Sequence, residues 1–426
     1  MFRIFVLSLA LAAPLPSDQN PSLSLDDRIH QPYTSLLEGS DATRYSNDAL
    51  SELRSKIEHE RDEKIDSSKK TEKQWKEDLE TARQELERLN KAASADTKAT
   101  SDRRAKLHMD IATLERGIQE KVKERAHAIP AAYETQLAKV WLLEHWPDQR
   151  ADILYRIDKG RARDRRHGDV EDIGYRKLVK NPEKDIEVGE QAARQMIAGG
   201  WLPLEFQDAE VQLYVRRLAA RIALSSDLKV PLHVTVLDSM QPRAIALPGG
   251  FLYVTSGVLR TARTESEFAG VLSREIARMA AQHATRASKR SLASKMFMPV
   301  AQIATGLFSG GINPGAYYGI GYGIQGLGGV IDRVLNGSNE GDQKEADQLG
   351  IQYAWKAGYD PKGFVGFLDS LTGDARADLV GKEPSLPERL LNLFTEIEYL
   401  RPLEHAVVQS AEFDQARLRV IAISRS

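Results

Sequence analysis

Apolar residues return every three or four positions through Trp75, Leu79, Ala82, Leu86, Leu89 and Ala93, and again through Leu107, Ile111, Leu114, Ile118 and Val122. This spacing is the a/d seam of a heptad, with Glu and Lys filling the positions between. The small polar run at 90–101 separates the two seams and Pro130 ends the second. The pattern predicts an antiparallel, coiled-coil-type helical hairpin over 46–130. Ahead of it, 18–45 is polar and turn-rich and predicts little fixed structure. Behind it, 131–185 reads as a helical connector whose apolar stretch 140–149 stops near Pro147.

From about residue 186 the texture becomes that of a compact domain reaching to 400, with 401–426 as a C-terminal segment. Helix period runs through 208–223, and 232–238 alternates as a half-buried strand. The stretch 244–259 reads as strand, Pro-Gly-Gly turn, strand, closed by Ser256-Gly257. Helices follow from Glu265 to about Ala287, from Gln343 to Gly358, within 359–371, and after the prolines of 383–400. Residues 406–422 fit either a strand or a short helix. The fold class is therefore α+β, mostly helical, with a small sheet. The stretch 296–331 carries no charged residue, and glycines 311, 315, 319 and 323 recur at fixed spacing. It fits a flap over a cleft, a segment touching a membrane surface, or a glycine-rich loop.

A net charge of −2 gives no global field for nucleic acid. The one basic stretch, 160–178, is cancelled locally by Asp169, Glu171 and Asp172, so no nucleic-acid partner is expected. The chain has no cysteine, which excludes disulfides, thiol catalysis and cysteine zinc sites. Residues 1–13 carry Arg3, a short apolar run and Ala10-Leu11-Ala12, the marks of a secretory signal cleaved near Ala12. They predict an exported, periplasmic or extracytoplasmic protein.

Candidate chemistry sits at 272–286, "LSREIARMAAQHATR". A zinc peptidase helix reads His-Glu-x-x-His, with two imidazoles on one face and a Glu beside the metal-bound water. Here the frame is Arg274-Glu275-Ile276-Ala277-Arg278. Phe268, Leu272, Ile276 and Met279 form an apolar stripe, and Glu275 lies at its edge, where a carboxylate needs a partner. Spacing alone also fits an ordinary ion-paired helix face.

The surrounding blocks change the weight. "ALPGGFLYVTSGVL" (246–259), "ESEFAGVLSREIARMAAQHATR" (265–286), "EADQLGIQYAWKAGYDP" (345–361) and "YVRRLAARIA" (214–223) together resemble the HtpX-like and CAAX-prenyl-protease-type family of zinc metallopeptidases. The resemblance covers roughly 185–400 and implies a zincin-like peptidase domain. It places the family's zinc ligands at Arg274, Arg278 and Gln343, none of which serves as that ligand does. It retains Glu275 as a vestigial general base, with His283, Glu345 and Asp347 around it. Arg243 stands where Asn is usual, and "EPSLPER" (383–389) where Thr-His-Pro is usual. The simplest physical account is replacement of one cation by two others: Arg274 and Arg278 are expected to neutralise Glu275 and Asp347 through bidentate pairs.

The resemblance implies a catalytically inactive homologue that binds a polypeptide or client protein in the cell envelope. Gly250, Phe251, Leu252 and Tyr253 are expected to accept an extended chain by strand addition. No cofactor is expected. The alternative is an active zinc endopeptidase with Glu275 as base, in which case zinc is required. A second alternative is an envelope scaffold that works through its hairpin. Neither the client nor the oligomeric state is legible.

Overall fold

The computed structural model describes residues 24–37, 45–91, 97–178, 182–283, 340–371 and 385–423. The expected signal at 1–13 and the uncharged stretch 296–331 lie outside the described residues. No helix among the described residues is long and apolar enough to cross a membrane.

Two short helices open the described chain, α1 (Leu25–His30) and α2 (Tyr33–Leu36). The expectation of little structure over 18–45 is overturned for 24–37. Ile29, Tyr33, Leu36 and Leu37 are buried in the main core, and Lys139 Nζ donates to Gln31 O at 2.6 Å. Average polarity concealed these apolar anchors, which two short helices carry into the core.

Helix α3 (Asn47–Lys91) and α4 (Lys98–Lys123) pack side by side. They run antiparallel: Arg103 grips Glu85 through Nε and Nη2, both at 2.9 Å, Arg83 reaches Glu115 at 2.6 Å, and Arg125 reaches Glu72 near the base. Gly117 leaves room for the Trp75 ring, to which a Cβ would come within 2.8 Å. Pro130 does not end this helix. The chain passes through one π-helical turn, Glu124–Ala128, into α5 (Ile129–Asp158), and the wider turn accommodates Pro130, which has no N–H to donate. Pro147 lies inside α5 rather than at its end. The buried face of Val140, Leu142, Leu143, Trp146 and Ile153 outweighs the lost bond at Pro147.

The remaining elements build the second half: α6 (Glu183–Ala198), α7 (Ala209–Leu224), β1 (His233–Leu237), β2 (Ala244–Leu247), β3 (Phe251–Thr255), α8 (Ser256–Thr261), α9 (Glu265–Ala280), α10 (Glu340–Lys356), α11 (Gly363–Ser370), α12 (Leu386–Tyr399) and α13 (Ala411–Ile423). The sheet order is β1-β3-β2, with β1 parallel and β2 antiparallel to β3. The Pro-Gly-Gly turn works because Gly249 and Gly250 adopt φ of 73° and 90°, which side chains disfavour. Of the two C-terminal alternatives the helix is found, with no strand formed there among the described residues. Val407 forms a single bridge to Tyr359, and the helix begins at Ala411.

Helix α9 lies at the centre, packed by α7, α10 and α11 and bordered by β2. Every residue of α9 except Arg278 is buried. Helix α10 approaches it closely because position 350 is glycine: a Cβ there would lie 2.8 Å from the Arg274 Cα. Helix α5 braces the same assembly from outside, with Arg150 paired to Glu398 at 2.9 Å and Trp146 set edge-on to Phe394 at 6.0 Å. The substitution Gly350→Ala is expected to force α10 off α9 and to cost about 1–3 kcal/mol, read from chemical denaturation. An unchanged midpoint contradicts the close-approach account.

Candidate functional site

Thr264 caps α9 by accepting from the Glu267 N–H at 3.2 Å, and Phe268, Leu272 and Ile276 fix the helix in the core. That anchoring drives the next positions, Arg274 and Glu275, into the interior at 3% and 2% exposure. A buried charge must be paired, and the pairing here is complete on the Arg274 side. Its Nε donates to Asp347 Oδ1 at 2.8 Å, its Nη1 to Glu275 Oε1 at 2.7 Å, and its Nη2 to Gln343 Oε1. Gln343 and Asp347 are one turn apart on α10, so both face α9 together.

The expected division of labour between the two α9 arginines is corrected by the geometry. Arg274 alone spans Glu275, Asp347 and Gln343. Arg278, at 12% side-chain exposure, stands 3.6 Å from Glu275 Oε2, beyond hydrogen-bond length. The bidentate partner of Asp347 is Arg389 of α12, with Nε to Oδ2 at 2.6 Å and Nη2 to Oδ1 at 2.8 Å. Arg389 is fully buried, and its role is not legible in "EPSLPER" because its partner Asp347 lies 42 residues away. The signal was available: a buried Asp347 requires more counter-charge than one shared arginine provides. The rings complete the setting, since Arg274 and Arg389 lie 5.7 and 5.4 Å from the Phe364 centroid.

Burial works against ionisation of Asp347, but Arg389 and Arg274 overcome it and hold its carboxyl below the usual range. Burial likewise opposes the charge on Arg274, and Asp347 and Glu275 overcome it and raise its pKa. The interior therefore holds two guanidinium groups against two carboxylates.

A second group lies on another face of α10. Glu345 Oε2 is 2.9 Å from His283 Nε2, while its Oε1 meets Arg166 at 2.6 Å and His167 Nε2 at 3.0 Å. Burial lowers the His283 pKa, against the pull of Glu345. Arg166 and His167 come from the basic stretch 160–178, which thus finds its role in ion pairs within the chain. The adjoining Arg165 pairs with the buried Glu396. Neither role was legible, because both join residues far apart in sequence.

The expected binding strand is also corrected. Gly250 precedes β3, and Phe251, Leu252 and Tyr253 lie on it, the central strand, hydrogen-bonded on both sides. The outer strand beside α9 is β2. Thr255 N donates to Arg243 O at 2.9 Å, so in antiparallel alternation the backbone groups of Ile245 face β3 and those of Ala244 and Ala246 face outward. A recess between β2 and α9 is lined by Ala246, Leu247, Pro248, Arg278, Met279 and His283. The other edge, β1, is partly covered by 204–206, with Phe206 N on Val236 O at 2.9 Å.

A mixed sheet, a buried helix that carries the Glu and borders the outer strand, and a second helix that brings an acidic motif against it define a zincin-like peptidase domain. Residues 205–397 match the model of Peptidase family M48, and the chain carries a domain of that family. It is 27% identical to a beta-barrel assembly-enhancing protease of Yersinia pestis over 252 residues, 57% of this chain and 49% of the relative. A beta-barrel assembly-enhancing protease of Escherichia coli strain K12 is 26% identical over 253 residues, with the same shares. The mitochondrial metalloendopeptidase OMA1 of Schizosaccharomyces pombe is 38% identical over 96 residues, 21% of this chain and 28% of that protein. The chain thus spans about half the length of the beta-barrel assembly-enhancing proteases it matches.

The residues at the family's metal positions do not fit a zinc ion. Zinc takes neutral or anionic donors, whereas Arg274 carries a fixed cation and already spends its nitrogens on Asp347, Glu275 and Gln343. Removing the shared acceptor tests this arrangement. Asp347→Asn is expected to cost about 3–5 kcal/mol by leaving two buried guanidinium groups underpaired. Because the Asp347 pKa is depressed on folding, the folded chain binds fewer protons than the unfolded one near pH ~4. Its contribution is therefore full above that range and is lost as pH falls through and below it. Denaturation midpoints measured across acidic pH are expected to show a shallower dependence in the Asn variant.

Proposed function

We propose that this chain is a catalytically silent member of Peptidase family M48 that holds extended polypeptide without cutting it. The observation that carries the reading is the Arg274 guanidinium, which bridges Glu275, Asp347 and Gln343 at the positions where related enzymes are read to assemble their metal. A hydrolytic step in this class needs a metal to lower the pKa of a water and to polarise the carbonyl. One oxygen of Glu275, the residue at the position of the general base, is committed to Arg274.

What supports polypeptide binding is the outer edge of β2. Strand addition uses backbone groups and requires no metal. The edge places Ala244 and Ala246 outward beside the recess against α9, so the binding strand of this reading is β2 rather than 250–253. The named relatives are proteases that enhance beta-barrel assembly, and we extend from them a role in handling client proteins in the cell envelope. The domain division follows the same reading: 46–130 projects as a helical hairpin, 131–185 connects, and 186–400 forms the binding unit.

Purified protein is expected to leave casein intact, and the combined change Arg274→His, Arg278→His, Gln343→Glu is expected to add one zinc equivalent over the parent by metal analysis. Zinc-dependent cleavage by the parent chain that disappears in Glu275→Gln overturns the reading. For the edge, Ala246→Pro removes an outward N–H while sparing the bonds to β3. It is expected to weaken binding of fluorescein-labelled unfolded casein at least ten-fold in anisotropy titrations with little change in thermal midpoint. Equal affinity in the two proteins excludes β2 as the binding strand.

A further inference from the structure

Helix α10 carries two chemically different faces. Gln343 and Asp347 point at Arg274. Glu345 lies between them in sequence but is turned roughly 160° around the axis at 100° per residue. Asp342 and Glu345, three apart, share a face. His283 reaches this face from the residues after α9, where Gln282 adopts φ 53°. One donor atom from each of His283, Asp342 and Glu345 lies within 4.8 Å of the other two.

We propose that His283, Asp342 and Glu345 form a divalent-cation site of the zinc class, distinct from the positions 274, 278 and 343. One imidazole with two carboxylates suits zinc, or manganese less tightly. Tetrahedral ligands at about 2.0–2.2 Å from a metal stand roughly 3.3 Å apart. His283 Nε2 and Glu345 Oε2 are 2.9 Å apart in a hydrogen bond that a cation would replace by moving them slightly apart, and Asp342 is half-buried at the start of α10 with a carboxylate oxygen within 4.8 Å of both.

Two further features fit a ligand set. His283 is 1% exposed, and among the described residues its Nδ1 has no hydrogen-bond partner, so nothing there fixes the tautomer and Nδ1 can carry the proton that frees Nε2 for a cation. Glu345 is held by its other oxygen: Arg166 and His167 both contact Oε1, which fixes the carboxylate and leaves Oε2 directed at His283. Arg166 opposes a second cation, but its side chain is 68% exposed and its charge is screened by water.

The test uses untagged full-length protein stripped with chelator. Calorimetric titration with zinc chloride is expected to give one equivalent, and cobalt chloride a visible absorption band of a low-symmetry site. Asp342→Asn, nearly isosteric and half-buried, is expected to weaken zinc at least ten-fold with an unchanged circular dichroism spectrum. His283→Gln is expected to remove the cobalt band, and Glu275→Gln to leave both signals. Absence of zinc binding in the parent chain overturns this inference and leaves the silent-peptidase reading standing. Binding lost in Glu275→Gln but kept in Asp342→Asn overturns both.

Discussion

The structure depends on one guanidinium group. Arg274 ties α9 to α10 from inside the core. Removing zinc from a zincin scaffold without compensation leaves two carboxylates in a medium that cannot solvate them. A lysine would bring a point charge with no fixed fork, whereas the planar guanidinium meets three acceptors in three directions. Gly350 is part of the same solution, because it lets α10 come near enough for the side chain to span the gap.

Around that contact the elements act as supports of different kinds. Helix α12 contributes Arg389, which balances the second charge of the cluster, and α11 contributes the Phe364 ring beside both arginines. Helix α5 presses α12 from outside through Trp146 and Arg150, so the long helical arm and the peptidase-type domain share one interface. The connector is also structural: Arg165 and Arg166 engage Glu396 and Glu345 on two neighbouring helices.

How much of this could be read from residues alone follows from the range of each interaction. The strand, turn and strand of 244–255 were legible because Pro-Gly-Gly and local alternation fix them within a few residues. So were α9 and the burial of Glu275, which follow from helical period. Strand order was not legible, since pairing with β1 is set by contacts outside the turn, and β3 rather than β2 took the centre. Arg389, Arg166 and His167 escaped because their partners are distant in sequence. The prolines misled for the opposite reason: a local rule at Pro130 and Pro147 was overridden by a π turn and by a buried apolar face.

The Arg274 bridge also changes what the chain requires in order to mature. An ion has to be acquired from the surroundings, in the right compartment and against competitors, and a metal-centred core stays unfinished until it arrives. A guanidinium is delivered by translation. The centre of this domain is complete once the polypeptide is made, and no chelator can extract it. The Arg274 bridge is therefore one part of this core that metal starvation leaves in place.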